Sequence, residues 1–86
     1  MHYVYVLQAL DDSDVFYLGF SSNLKQRVRM HNAGANVSTA RHQWRVVYYE
    51  AYVSEDAARR REMTLKRSNS MRSRLMNRVR SSLQSD

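Results

Sequence analysis

The sequence predicts a small α+β domain with the element order β-β-α-β-α-α, and three observations carry that reading. Two runs of aromatic and branched residues, Tyr3–Leu7 and Phe16–Phe20, flank a short polar turn that suits an antiparallel return. A third run of the same kind, WRVVYYEAYV, spans Trp44 to Val53. Apolar residues at helical spacing follow Ser22 once and Ser54 twice. With 86 residues the chain builds one modest core; residues 1–80 are expected to form the domain and 81–86 a frayed tail.

Taken in order, Tyr3, Tyr5 and Leu7 point to one face of the first strand, and Val4 and Val6 to the other. Apolar on both faces, it reads as a central strand. Asp11, Asp12, Ser13 and Asp14 lack the twelve-residue spacing and closing glutamate of a calcium loop, so they read as a turn. On the returning strand Phe16, Leu18 and Phe20 share one face, and Tyr17 and Gly19 the other. If Val4 and Val6 pack with the first set, Tyr5 and Tyr17 converge beside a residue without a side chain, which leaves space for a close approach to the backbone. Two core tyrosines with satisfied hydroxyls are the plainer alternative.

Ser21 or Ser22 suits the cap of the first helix, on which Leu24, Val28 and His31 share a face and Arg27 sits on its flank. Gly34 can end that helix in the left-handed conformation. Residues 36–43 read as a polar connector to the third strand. Ser54 then caps a helix whose first turn carries Glu55 and Asp56 at its positive end. Glu62 falls on the apolar stripe between Ala58 and Leu65, where a carboxylate needs a partner: an arginine or tyrosine, or a divalent cation. The segment Ser68-Asn69-Ser70 marks a break before a terminal helix with Met71, Leu75, Val79 and Leu83 on one stripe.

The net charge is +6, and nine of the fourteen Lys/Arg residues lie between Arg59 and Arg80, where Glu62 is the sole acid. Such asymmetry also serves solubility, but it favours a polyanionic partner, most commonly nucleic acid. With no cysteine, disulfides and thiolate metal sites are excluded. No apolar stretch approaches the roughly 18 residues of a membrane helix, and the basic terminal helix lacks Trp or Phe on its apolar side for membrane-surface binding. A cytoplasmic setting without membrane association is the expectation.

These elements and the residues they carry resemble the GIY-YIG nuclease family, in its short single-domain form. Tyr3-Val4-Tyr5 stands in place of the GIY triplet and Tyr17-Leu18-Gly19 in place of YIG; FSSNLKQRVRMHNAG resembles the helix motif, with Arg27 and His31 in position. Ser38-Thr39, Trp44, the run to Glu50 and the helix bearing Glu62 follow in the family's order. The resemblance implies a small three-stranded antiparallel sheet flanked by helices and a metal-dependent endonuclease acting on DNA ahead of RNA, with branched or single-stranded substrates among those to test. It implies one divalent ion, Mg²⁺ or Mn²⁺, on Glu62, and no small-molecule cofactor. Its catalytic set maps to Tyr5 as general base, Tyr17, Arg27, His31 and Glu62. Arg27, Arg41, Arg59, Lys66, Arg67 and Arg72 are the candidates for nucleic-acid contact. The first triplet lacks its glycine, Phe20 stands where some members carry a lysine, and Asn69 and Asn77 are both candidates for a downstream asparagine. A nucleic-acid-binding module of the same fold with weak turnover is the alternative, and oligomeric state is left open.

Overall fold

The computed structural model describes residues 1–84. Strands β1 (His2–Ala9), β2 (Phe16–Ser21) and β3 (Trp44–Tyr52) form one antiparallel sheet in the order β2-β1-β3. The doubly apolar strand is therefore the central one, and a three-stranded antiparallel sheet with three helices is the observed fold. Helix α1 (Leu24–Asn32) covers one face, and α2 (Glu55–Arg67) and α3 (Asn69–Gln84) cover the other. The faces divide by strand alternation as the sequence predicts. Val4 and Val6 pack with Phe16, Leu18 and Phe20 beneath Ala58, Leu65, Leu75 and Val79. Tyr5, Leu7, Ala9 and Trp44 pack with Tyr17, Leu24 and Val28.

Local chemistry sets the helix ends. The cap of α1 is Asn23, whose side chain accepts from the Gln26 amide, and neither serine takes that place. Buried Ser21 is used one step earlier: its Oγ accepts from the Asn23 amide and its hydroxyl donates to the Asn23 carbonyl, which sets the turn into the helix. At the other end Gly34 has φ +76°, its amide reaches the His31 carbonyl at 3.1 Å, and the Ala35 amide reaches Met30 at 3.1 Å. This paired closure needs a left-handed residue, which glycine supplies without strain. Ser54 caps α2 as expected. Ser68 ends α2 and accepts from the Met71 amide, so one serine makes the break and starts α3.

Two expectations change. The tail expected to fray from 81 onward is helical through Gln84, because Leu83 extends the apolar stripe onto the core; residues 85–86 lie outside the described residues. The space beside Gly19 is filled from within. A Cβ there would lie 2.5 Å from Tyr5 Cζ and closer still to its hydroxyl, so it is the Tyr5 ring that approaches the bare backbone.

A largely covered carboxylate ties β3 to α2. Glu50, 14% exposed, accepts both Arg61 Nε and Nη2 at 2.9 Å, the Tyr48 hydroxyl at 2.7 Å and the Tyr52 hydroxyl at 2.6 Å. Burial alone would raise its pKa, but the bonds from Arg61, Tyr52 and Tyr48 outweigh that and lower it from 4.5 to about 2. Between those two values the unfolded chain binds more protons than the folded one, so this contribution to stability is complete above about pH 4.5 and fades as pH falls toward 2. Glu50→Gln is expected to cost on the order of 2–3 kcal/mol at pH 7 and to flatten the stability loss across that acid window. Urea unfolding of both proteins at pH 7, 4 and 3 checks this; equal acid sensitivity would mean that other carboxylates control it.

Candidate active site

The site lies where β1, β2, α1 and α2 meet, and it is built around a chain of hydrogen bonds that begins on the central strand. Tyr5, 1% exposed, places its hydroxyl 2.8 Å from His31 Nε2; His31, also 1% exposed, has Nδ1 2.8 Å from Thr39 Oγ1. Thr39 is fully buried in a short 3₁₀ turn, Val37–Thr39, and its hydroxyl donates to the Asn36 carbonyl at 3.2 Å. A hydroxyl has one proton, so with that proton on the Asn36 carbonyl Thr39 Oγ1 accepts from His31 Nδ1–H. That assigns the imidazole tautomer: Nε2 carries no proton and accepts from the Tyr5 hydroxyl.

Electrostatics keep both partners of this bond in their neutral forms. Burial first, then the charge of Arg27, lowers the His31 pKa from its ordinary 6.5, so the ring is neutral at pH 7. Burial first, then Tyr17, pushes the Tyr5 phenol far above its ordinary 10, and Glu62 adds to the rise; Arg27 pulls the other way and loses. Arg27 by itself therefore does not favour a standing phenolate on Tyr5. What the site offers is a phenol whose proton already points at a neutral acceptor.

Around this buried chain stands a more accessible rim. The Tyr17 ring meets His31 edge-on at 5.0 Å between centroids and tilts against Tyr5 at 6.5 Å and Trp44 at 6.3 Å. Arg27 and His31 line one side of an open hollow with Met30, Ala35 and Asn36, and Arg27 forms no salt bridge among the described residues. Glu62, 23% exposed, is paired with Lys66 Nζ at 3.2 Å, and the same ammonium sits 6.0 Å from the centre of the Tyr17 ring. The partner of Glu62 is thus a lysine one turn on, rather than an arginine or a tyrosine. As an i,i+4 pair whose ammonium is exposed it is weak and easily exchanged.

Tyr5, Tyr17, Arg27, His31 and Glu62 are brought to one place, and Lys66 joins them. The other proposed nucleic-acid contacts are spread out. Arg41 and Arg67 are exposed. Arg59 pairs with Glu55 at 2.9 Å and lies 4.5 Å above the Phe20 ring. Arg72 is committed locally: its guanidinium donates to the Leu65 and Lys66 carbonyls at the end of α2 and to Asn69 Oδ1. Asn69 is therefore held at the α2–α3 junction, whereas Asn77 is exposed on α3. Sequence reasoning gave Thr39 and Asn36 no role in the site. The local signal was present, since Asn36 also accepts from the Ser38 amide, an Asn-turn pattern that fixes the hydroxyl of Thr39. Trp44 locks the same turn from outside by donating its indole N–H to the Thr39 carbonyl at 2.9 Å.

Among the described residues no three His, Cys, Asp or Glu side chains gather to form a metal cluster. A single half-exposed carboxylate suits a hard ion that prefers oxygen and keeps most of its water, and does not suit a zinc-type site. No helix among the described residues is long and apolar enough to cross a membrane.

Comparison with known proteins agrees with this fold. A family model described as the GIY-YIG catalytic domain matches residues 1–76. The UPF0213 protein CPE1444 of Clostridium perfringens is 35% identical over 69 residues, covering 78% of this chain and 72% of that protein. The UPF0213 protein SH2523 of Staphylococcus haemolyticus is 37% identical over 67 residues, covering 76% and 79%. The solution NMR structure of the UPF0213 protein BH0048 from Bacillus halodurans superposes with a TM-score of 0.54 at 28% identity, over 88% of this chain and 82% of that one. A family model matching most of the chain, relatives at 35–37% identity and a shared sheet architecture identify it: the chain belongs to the GIY-YIG catalytic-domain family.

Proposed function

We propose that this protein is an endonuclease that hydrolyses phosphodiester bonds in DNA, and in RNA second, with one divalent cation, Mg²⁺ or Mn²⁺, held at Glu62. The observation that carries the reading is the buried Tyr5–His31–Thr39 hydrogen-bond chain at the border of the hollow that Arg27 lines. Hydrolysis needs a water deprotonated as it attacks phosphorus, and charge stabilisation for the five-coordinate state. A water at the edge of Tyr5 gives its proton to the phenol oxygen while the phenol's own proton passes to His31 Nε2. The hydroxide so formed bonds to phosphorus and the bond to the leaving oxygen breaks, that oxygen taking a proton from solvent. No phenolate need exist beforehand, which fits the raised pKa of Tyr5. The imidazolium is held by its Nδ1–H bond to Thr39. Arg27 offers a planar, permanently charged fork to the phosphate oxygens. Glu62 would hold the ion, which would supply further charge stabilisation, and Lys66, now paired with Glu62, would then be available to the phosphate.

The Glu62–Lys66 pair is also what a binding module of this fold would show, with the acid serving only its neighbour. A panel of linear, branched and single-stranded nucleic acids incubated with Mn²⁺, Mg²⁺ or chelator separates the two. The parent protein is expected to cleave only with metal. Glu62→Gln keeps shape but removes the charge a hard cation requires, so it should bind nucleic acid at least as tightly and cleave at least about 100-fold more slowly. A folded Glu62→Gln protein that cuts at the parental rate with unchanged metal dependence would falsify the assignment.

Tyr5→Phe removes the proton path and is expected to lower the cleavage rate by about 10²–10⁴, and Tyr17→Phe by less. His31 must be neutral to accept the proton, and its pKa is lowered, so the parent should keep activity below pH 6.5 and lose it only as the ring protonates further down. Rates measured from pH 5 to 8, with thermal unfolding as the folding control, test both statements. Small and equal effects of the two changes would make the phenols structural.

A further inference from the structure

Helix α1 leaves part of its sheet face uncovered. Between α1 and the sheet lies a hollow of about 680 Å³, walled by Tyr3, Val46 and Tyr49 from the sheet and by Val28, Lys25 and Arg29 from α1. Its aromatic floor is exposed: Tyr49 is 57% accessible and Val46 36%. Tyr3 meets Tyr49 edge to face at 5.8 Å and 71°, a contact that steadies both rings. The helix phase puts Lys25 and Arg29 on the flank of α1 opposite Arg27, so one helix separates this hollow from the candidate active site. Neither Lys25 nor Arg29 forms a salt bridge among the described residues, and no acid lines the hollow.

We infer that this hollow seats an unpaired nucleotide of the nucleic-acid substrate, its base stacked on Tyr49 and its phosphates on Lys25 and Arg29. The inference rests on the nuclease reading and adds to it a substrate class: nucleic acid with a single-stranded segment reaching across α1 from the cleavage site. The chemistry of the walls favours this occupant. Stacking platforms beside unpaired cations are how single strands are held without reading their sequence. A base inside a duplex is already stacked and paired, so it cannot lie on the sheet without being pulled out. A second copy of the chain fits less well. A two-fold contact through this face would bring Lys25 and Arg29 of both copies together with no acid against them.

The test uses the intact chain in chelator, so that binding is read without cleavage, and fluorescence anisotropy of two labelled probes: a short oligothymidylate and a blunt duplex. Tyr49→Leu keeps the apolar floor and removes the stacking face. It is expected to weaken oligothymidylate binding by about 5- to 100-fold, with duplex binding unchanged within about twofold, and Tyr49→Phe should bind as the parent does. Because Tyr49 is exposed, the fold should persist, which thermal unfolding checks; the pair Lys25→Gln and Arg29→Gln gives a second route, lowering the salt slope of oligothymidylate binding by about 1 to 2. Undiminished oligothymidylate binding by Tyr49→Leu overturns the proposal, as does a parent that binds duplex and no single strand. If Tyr49→Leu instead turns a dimer into a monomer at unchanged strand affinity, the face is a self-association surface and the proposal fails. A parent that binds neither probe overturns the nucleic-acid reading itself, which distinguishes that failure from this one.

Discussion

The hydrogen bond between Tyr5 and His31 is the constraint to which the rest of this small structure is fitted. It joins the central strand to the helix that covers it, and both partners are almost fully buried, so each needs its polar atoms satisfied. Gly19 gives the Tyr5 ring its room on the neighbouring strand, and any side chain there would strike the phenol. Thr39 fixes the far nitrogen of the imidazole, Asn36 fixes Thr39, and Trp44 seals the turn that carries them. Four segments distant in sequence are thereby held to one geometry. The same bond sets the chemistry, because a neutral ring that accepts from a phenol is a proton sink in waiting.

Charge is divided between two uses. Several of the cations that give the chain its basic character are partnered: Arg61 clamps Glu50, Arg59 pairs with Glu55, Arg72 closes the end of α2, and Lys66 shares Glu62. Their net charge still acts at a distance, but their donors are engaged in structure. Arg27, Lys25 and Arg29 on α1 form no such pairs among the described residues. These unpaired cations of α1 flank the candidate active site on one side and the hollow beside Tyr49 on the other.

Much of this was legible in the sequence. Period-two alternation separates Val4 and Val6 from Tyr5, and helical phase puts Leu24, Val28 and His31 inward with Arg27 at the border; both rest on geometry that holds locally. The stripe containing Glu62 was readable for the same reason. What escaped depends on contacts between distant segments. The clamp of Glu50 on Arg61 spans strand and helix, and no spacing rule points from one to the other. The role of Thr39 arises from a 3₁₀ turn within a stretch that reads only as polar connector. The last residues read as a frayed tail from their polar composition, although Leu83 lies on the apolar stripe, and it is this residue that carries the helix onto the core through Gln84. The pKa of Tyr5 was unreadable because it depends on burial, and residue type alone leaves open whether burial or Arg27 prevails.

The account turns on the direction of the proton between Tyr5 and His31, and that direction is open to direct observation. Nitrogen-15 NMR of the imidazole in labelled protein at pH 7, with His31→Gln to assign the signals, distinguishes the two neutral tautomers from each other and from imidazolium. The expected result is a neutral His31 ring protonated at Nδ1, with the shift of Nε2 changed by Tyr5→Phe. A ring protonated at Nε2, or one charged at pH 7, would contradict the account, because Tyr5 would then accept from His31 and have nowhere to send its proton.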